Sequence, residues 1–261
     1  MPCTMPFINL NFMKRIVFLL LFAPLLLISN QLSSQELDNY GGCLNIHIDD
    51  GSGFFRLGEV EGKHFLVTPD GNAYKALGLN HMHTTSRKDY DKIIEELKAL
   101  GFNSGDYQGP NWQWSRIPYT KGVNLTKTSV WLSEDKFKFE DVFAENFLVE
   151  MEESIKNTVS PQANNEMLIA YFLTDVPRWN GSQNGSSWLS FFKSLEDSAA
   201  GKLVWNQWKS DNPDTPEEDF LAIIARQIYS NGIGFIRKYD SNHMVFTERY
   251  WETNMPEQVV A

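Results

Sequence analysis

Two acidic residues stand where short apolar runs give way to polar chain. One run, Met167 to Leu173, ends at Thr174-Asp175-Val176-Pro177-Arg178-Trp179; the other, His243 to Thr247, ends at Glu248-Arg249-Tyr250. An apolar run of this length that stops abruptly reads as a buried strand emerging at its C-terminal end. A carboxyl group at such an end is placed for acid–base work. An acid beside an indole suits a sugar, whose pyranose ring has an apolar face and a hydroxyl-rich rim. Asp175 and Glu248 are therefore the candidate catalytic residues, with Glu252 a weaker one of the same kind. Each has a plainer alternative. Asp175 caps a helix or pairs with Arg178, and Glu248 orients a sugar hydroxyl or pairs with Arg249.

Other side chains at expected strand ends and in loops are candidates for substrate binding: Asn80, His81, Asn103, Trp179, Arg249 and Tyr250. Trp112 and Trp114, like Trp179, serve as sugar platforms or as lids on the core. His81 and His83 alternate on one face of a strand and form a possible metal pair. That is the basis of a rival reading as a metal-dependent amidohydrolase barrel. Such a barrel needs further histidines at later strand ends, and His243 sits at the start of its strand, so no metal is expected. There is no Gly-rich phosphate loop and no Gly-x-Ser-x-Gly elbow, so no cofactor is expected either. Asn124-Leu125-Thr126, Asn180-Gly181-Ser182 and Asn184-Gly185-Ser186 match the N-glycosylation pattern.

The elements that must position these residues follow from periodicity. Phe54–Leu57 and Phe65–Thr68, joined across Glu61-Gly62-Lys63, read as a hairpin. Pro69-Asp70-Gly71-Asn72 is a turn, and Tyr74–Asn80 is the strand it leads into. Tyr90, Ile93, Ile94, Leu97 and Leu100 recur at helical spacing within 87–100, and Gly101 ends that helix. A strand is expected at Phe102–Asp106, another within Arg116–Val130, and helices over 141–158, 188–209 and 217–239. Alternating strands and helices of this kind predict a parallel sheet. The fold class is α/β, an incomplete TIM barrel preceded by a small β-hairpin. Tyr74–Asn80, Phe102–Asp106, the 116–130 strand, Leu168–Leu173 and His243–Thr247 should run parallel. The expected divisions are 1–35, 36–73 for lead-in and hairpin, and 74–261 for the partial barrel.

Several of these pieces resemble one family. Phe54-Phe55-Arg56, Phe65-Leu66-Val67-Thr68-Pro69-Asp70-Gly71 and Ala76-Leu77-Gly78-Leu79-Asn80-His81 are similar to the opening of agarase-like glycoside hydrolases. Leu97-Lys98-Ala99-Leu100-Gly101-Phe102-Asn103 resembles their first helix and second strand. Leu168 to Asp175 resembles their fourth strand, and Arg237 to His243 the entry to their fifth. The resemblance spans residues 54–261. It implies a (β/α)8 barrel that hydrolyses a polysaccharide, an agar-type galactan above all, with retention of configuration. That chemistry uses two carboxyl groups, an acid/base and a nucleophile. In the wider barrel pattern the acid/base is a Glu after an Asn at the fourth strand end. Aligning on Pro177 puts Asp175 at the Asn and Val176 at the Glu. Val176 cannot donate a proton, so either Asp175 takes the acid role or the protein is a non-catalytic carbohydrate-binding relative. The resemblance places the nucleophile on a seventh strand, beyond Ala261.

The N-terminus carries Lys14-Arg15, an apolar run from Ile16 to Ile28, and small and polar residues to Gln35. This is the three-part pattern of a secretory signal peptide, with cleavage near Ser34 or Gln35. The run is short for a membrane span, and residues 1–12 read as an upstream extension before Met13. The expected location is secreted or periplasmic, with no membrane association after cleavage. Cleavage removes two bases and no acid and takes the net charge from −10 to −12. So acidic a chain is repelled by phosphate backbones, which argues against nucleic acid as a partner and suits a neutral polysaccharide or oligosaccharide. Only Cys43 remains after cleavage, so the core and not a disulfide must hold the fold.

Overall fold

The computed structural model describes residues 36–80, 86–105, 116–181, 185–250 and 255–260. Two sheets organise them. The first is a four-stranded antiparallel sheet of β1 (Cys43–His47), β2 (Arg56–Val60), β3 (Lys63–Val67) and β4 (Asn72–Tyr74), in the order β1-β4-β3-β2. Glu61 and Gly62 join β2 to β3 with φ of 50° and 74°, the primed two-residue turn that matches strand twist. Between β3 and β4, Gly71 has φ 89°, and a Cβ there would fall 1.8 Å from Asp49 O, so only glycine fits.

The second sheet contains β5 (Gly78–Leu79), β6 (Ser104–Gly105), β7 (Tyr119–Gly122), β8 (Leu168–Phe172) and β9 (Met244–Phe246), all parallel and in chain order. Helix α1 (Arg87–Ala99) joins β5 to β6, and α2 (Glu145–Val159) joins β7 to β8. Between β8 and β9 lie α3 (Trp188–Ser194), α4 (Ala200–Asp211) and α5 (Phe220–Tyr239); α6 (Glu257–Val260) follows β9. The expected parallel sheet and covering helices are therefore present. Helix α1 starts at Ser86, whose Oγ accepts from Asp89 N at 3.1 Å, and ends before Gly101 at φ 86°. Every residue of β8 is buried, as its unbroken apolar run requires.

The main core lies between this sheet and its helices. Phe147, Met151 and Ile155 of α2 and Phe220, Ile224 and Ile228 of α5 pack there with Leu168, Tyr171 and Leu173. A smaller core joins Phe55 and Tyr74 of the antiparallel layer to Ile169 and Ala170 of β8. Where β8 and β9 begin, a buried polar knot ties them. Asp240 Oδ2 accepts from Tyr171 OH at 2.7 Å and lies 2.7 Å from His243 Nδ1, while His243 Nε2 faces Asn165 O at 3.0 Å.

Three elements depart from expectation. The lead-in contains a strand, β1, in which Leu44 and Ile46 alternate with Asn45 and His47 although all four are exposed. The segment 74–80 does not form one strand, because Tyr74 closes the antiparallel sheet and the parallel strand is only Gly78–Leu79. The expected helix 188–209 is broken at Leu195, whose backbone is extended; α4 restarts with Asp141 Oδ2 accepting from Gly201 N at 2.8 Å. Among the described residues no helix is long and apolar enough to cross a membrane. The expected signal segment lies outside the described residues.

Candidate functional site

The C-terminal ends of β7, β8 and β9 are stitched together beyond the regular strands. Asp175 and Arg249 form a parallel bridge, and Ser129 and Pro177 an antiparallel one. Val176 N donates to Arg249 O at 3.0 Å, Val130 N to Val176 O at 3.0 Å, and Ser129 Oγ to Asp175 O at 2.5 Å. Held from both sides, Val176 adopts φ 46°, a conformation that a branched side chain ordinarily avoids.

Asp175 is 2 % exposed and is not open at the barrel mouth. Its Oδ1 accepts from Arg249 Nε at 2.7 Å, and its Oδ2 is buried with no hydrogen-bond partner. The pairing with Arg178 does not form; that guanidinium lies over the Phe137 ring, 5.6 Å from its centre. Arg249 thus belongs to Asp175 and not to Glu248.

Glu248 precedes Arg249 by one residue and leaves the strand on the opposite face. Its partners show where it goes. Oε2 accepts from Tyr229 OH of α5 at 2.5 Å, from Tyr250 OH at 3.2 Å and from Trp179 Nε1 at 3.3 Å. Burial pushes the carboxyl up to about 7 even though all three hydrogen bonds favour its ionised form. Burial, together with Glu248, also raises Tyr229, and raises Tyr250 to about 12. Asp175 and Glu248 therefore share no hydrogen-bond partner and belong to two clusters on adjacent strand ends.

Trp179 lies inside the core, 4 % exposed, its ring centre 5.8 Å from that of Trp188 and 6.1 Å from that of Tyr229. It presents no open face to a sugar and serves instead to hold Glu248. Asn103 precedes β6 and so sits at the start of that strand, not its C-terminal end. It acts as a splint, with Oδ1 accepting from Leu77 N at 2.7 Å and Nδ2 donating to Lys75 O at 2.8 Å. Asn80 directly follows β5 and is exposed. His81, His83, Trp112, Trp114, Ser182, Asn184 and Glu252 lie outside the described residues. Among the described residues no group of three or more His, Cys, Asp or Glu is placed to hold a metal ion.

Trp131, Val176, Arg249 and Tyr250 line a depression of about 320 Å³ at these strand ends. Trp131 is 57 % and Tyr250 41 % exposed. Two aromatic rings beside a guanidinium offer apolar surface and hydrogen-bond donors together, the combination that takes a polar ring with an apolar face. Trp131 was reachable from sequence as the aromatic next to the strand bracketed at Arg116–Val130. Tyr229 was not, because nothing in the pattern of an amphipathic helix marks which of its residues reaches a strand end.

No family model matches the chain, and no curated protein matches it. Solved structures do. An agarase, AgWH50C, matches with a TM-score of 0.63 at 16 % identity, over 99 % of this chain and 50 % of its own. An exo-beta-agarase matches with a TM-score of 0.66 at 13 % identity, over 87 % and 50 %, and PfGH50B with 0.67 at 15 %, over 92 % and 52 %. The chain spans about half the length of the solved structures it matches, and its parallel sheet, helices and antiparallel layer have the fold of that half of the agarase barrels.

Proposed function

We propose that this chain forms the glycan-recognising part of a barrel that acts on a polysaccharide outside the cytoplasm, an agar-type galactan in particular. The depression between Trp131, Val176, Arg249 and Tyr250 carries this reading. The exposed rings take the apolar face of a pyranose, and the guanidinium of Arg249, fixed by Asp175, donates to its hydroxyls. The fold shared with solved agarases supports the substrate class. The N-terminal basic pair and apolar run support export, and the acidic charge suits a neutral polymer. Within this reading the described residues bind. Val176 stands where the resemblance puts the acid/base, and Asp175 is committed to Arg249. Titration of the chain with agaro-oligosaccharides should show saturable binding that Trp131→Ala weakens by tenfold or more, as loss of a stacking platform does. Equal affinity in that variant, or no binding to any galactan, rejects the proposal.

Glu248 favours a second reading, hydrolysis by the whole protein, because its value near neutrality is that of a group able to give and take a proton. Reducing-end release from agarose, porphyran or plant β-glycans that falls about 10²-fold in Glu248→Gln supports it. Binding without release from any of them rejects it.

A further inference from the structure

The depression and the buried carboxyl are joined by one side chain. Tyr250 lines the depression and donates its hydroxyl to Glu248 Oε2 at 3.2 Å. Resting on the glycan reading above, we propose that Glu248 is a positioning residue whose carboxyl holds Tyr250 in place as a wall of the binding depression, so that the protonation state of Glu248 sets the geometry offered to the sugar.

Three donors converge on a single oxygen, and they are unequal. The Tyr229 bond is short at 2.5 Å, whereas those from Tyr250 and Trp179 are long at 3.2 and 3.3 Å. Tyr229 is fixed in α5 and Trp179 is packed in the core, but Tyr250 is 41 % exposed. When the carboxyl is ionised, all three bonds are charge-assisted and Tyr250 is drawn down. When it is protonated, the oxygen becomes a weaker acceptor, and of the two long bonds the one from the exposed Tyr250, which no core packing holds, is the one to yield. The titratable groups facing Glu248 are Tyr229 from α5 and Tyr250 from its own segment; the turn after β8 contributes the Trp179 indole. The tyrosines keep their protons at neutral pH, since both are shifted upward. Any change near neutrality is therefore that of Glu248 itself, whose buried carboxyl lies at about 7.

The experiment uses the full chain labelled with 3-fluorotyrosine, the Tyr250 signal being assigned with Tyr250→Phe. Its fluorine resonance is followed from pH 5.5 to 8.5, and agaro-oligosaccharide affinity is measured over the same range. The expected result is one transition of the Tyr250 signal near neutrality, absent in Glu248→Gln. Affinity should follow the same midpoint and be about fivefold tighter on the alkaline side, the scale of one hydrogen bond. Tyr229→Phe removes a donor that favours the ionised carboxyl, so it should move the midpoint to higher pH, which a merely structural partner would not do. A Tyr250 signal that is flat with pH, or that titrates unchanged in Glu248→Gln, overturns the inference. A transition with no sugar bound at any pH upholds the coupling of Glu248 to Tyr250 and overturns the glycan reading instead.

Discussion

A carboxyl group in a protein interior keeps its charge only where a cation or several donors face it. Asp175 has Arg249; Asp240 has Tyr171, His243 and the backbone of Asn242; Glu248 has, among the described residues, three neutral donors and no cation. The consequences differ in sign. Glu248 titrates at about 7 in the folded state against 4.5 when free, so the folded state holds more protons between those values. Stability must fall as pH rises through that window, by about 3 kcal/mol. Glu248→Gln, which keeps shape and acceptor, should therefore leave the melting temperature unchanged near pH 4.5 and raise it by several degrees at pH 8. A variant less stable than wild type at both pH values would refute this. For Asp240, burial pushes the carboxyl up, but hydrogen bonds from His243, Tyr171 and Asn242 N outweigh it and hold it at about 2 against 3.8. That contribution, about 2 kcal/mol, is present above pH 4 and lost as pH falls toward 2. Asp240→Asn should make the acid limb of the stability profile shallower, because Asp38, Asp49, Glu152 and Glu217 are also held below their free values and keep contributing to it. At the third carboxyl, Arg249→Met strands the buried Asp175 and should cost about 3–5 kcal/mol in chemical denaturation, more than Asp175→Asn does.

At the scale of elements, the packing of α5 against the sheet should dominate. Ile224→Ala empties a fully buried position and should cost about 2–5 kcal/mol in denaturant unfolding, whereas Ile233→Ala on the exposed side of the same helix should change little. The sequence disclosed this stripe because helical burial repeats with a fixed period, and it disclosed β8 because a strand covered on both faces must be apolar throughout. In β1 Leu44 and Ile46 alternate with Asn45 and His47 but stay exposed, so the pattern marks no core face there. Nor did the sequence disclose the directions of Asp175 and Glu248. The apolar runs located both strand ends, but which face each acid takes depends on the register that pairs Asp175 with Arg249, and register is a relation between strands distant in sequence. Trp179 shows the same limit. An indole in a loop can face outward or inward, and only the partners waiting inside, Trp188 and Tyr229, decide it.

At the scale of the whole molecule, the parallel sheet among the described residues ends in β5 and β9, and both edges carry exposed apolar side chains, Leu79 and Phe246, each 38 % exposed. Unpaired edges with apolar surface invite association. The isolated chain should bind hydrophobic dyes and elute as a concentration-dependent mixture in size-exclusion chromatography. Phe246→Lys should shift it toward monomer; a chain monomeric at all concentrations and dye-silent would contradict this. The order of the strands has a different outcome. In the parallel sheet spatial order is chain order, so each strand, as it is synthesised, meets a partner already made. Such a sheet can lengthen by repeating one step, and losing or gaining a whole strand–helix pair at its growing edge would leave every earlier pairing in register. The antiparallel sheet differs in one strand: β2, β3 and β4 pair in chain order, but β1, made first, must wait for β4 before it finds a partner.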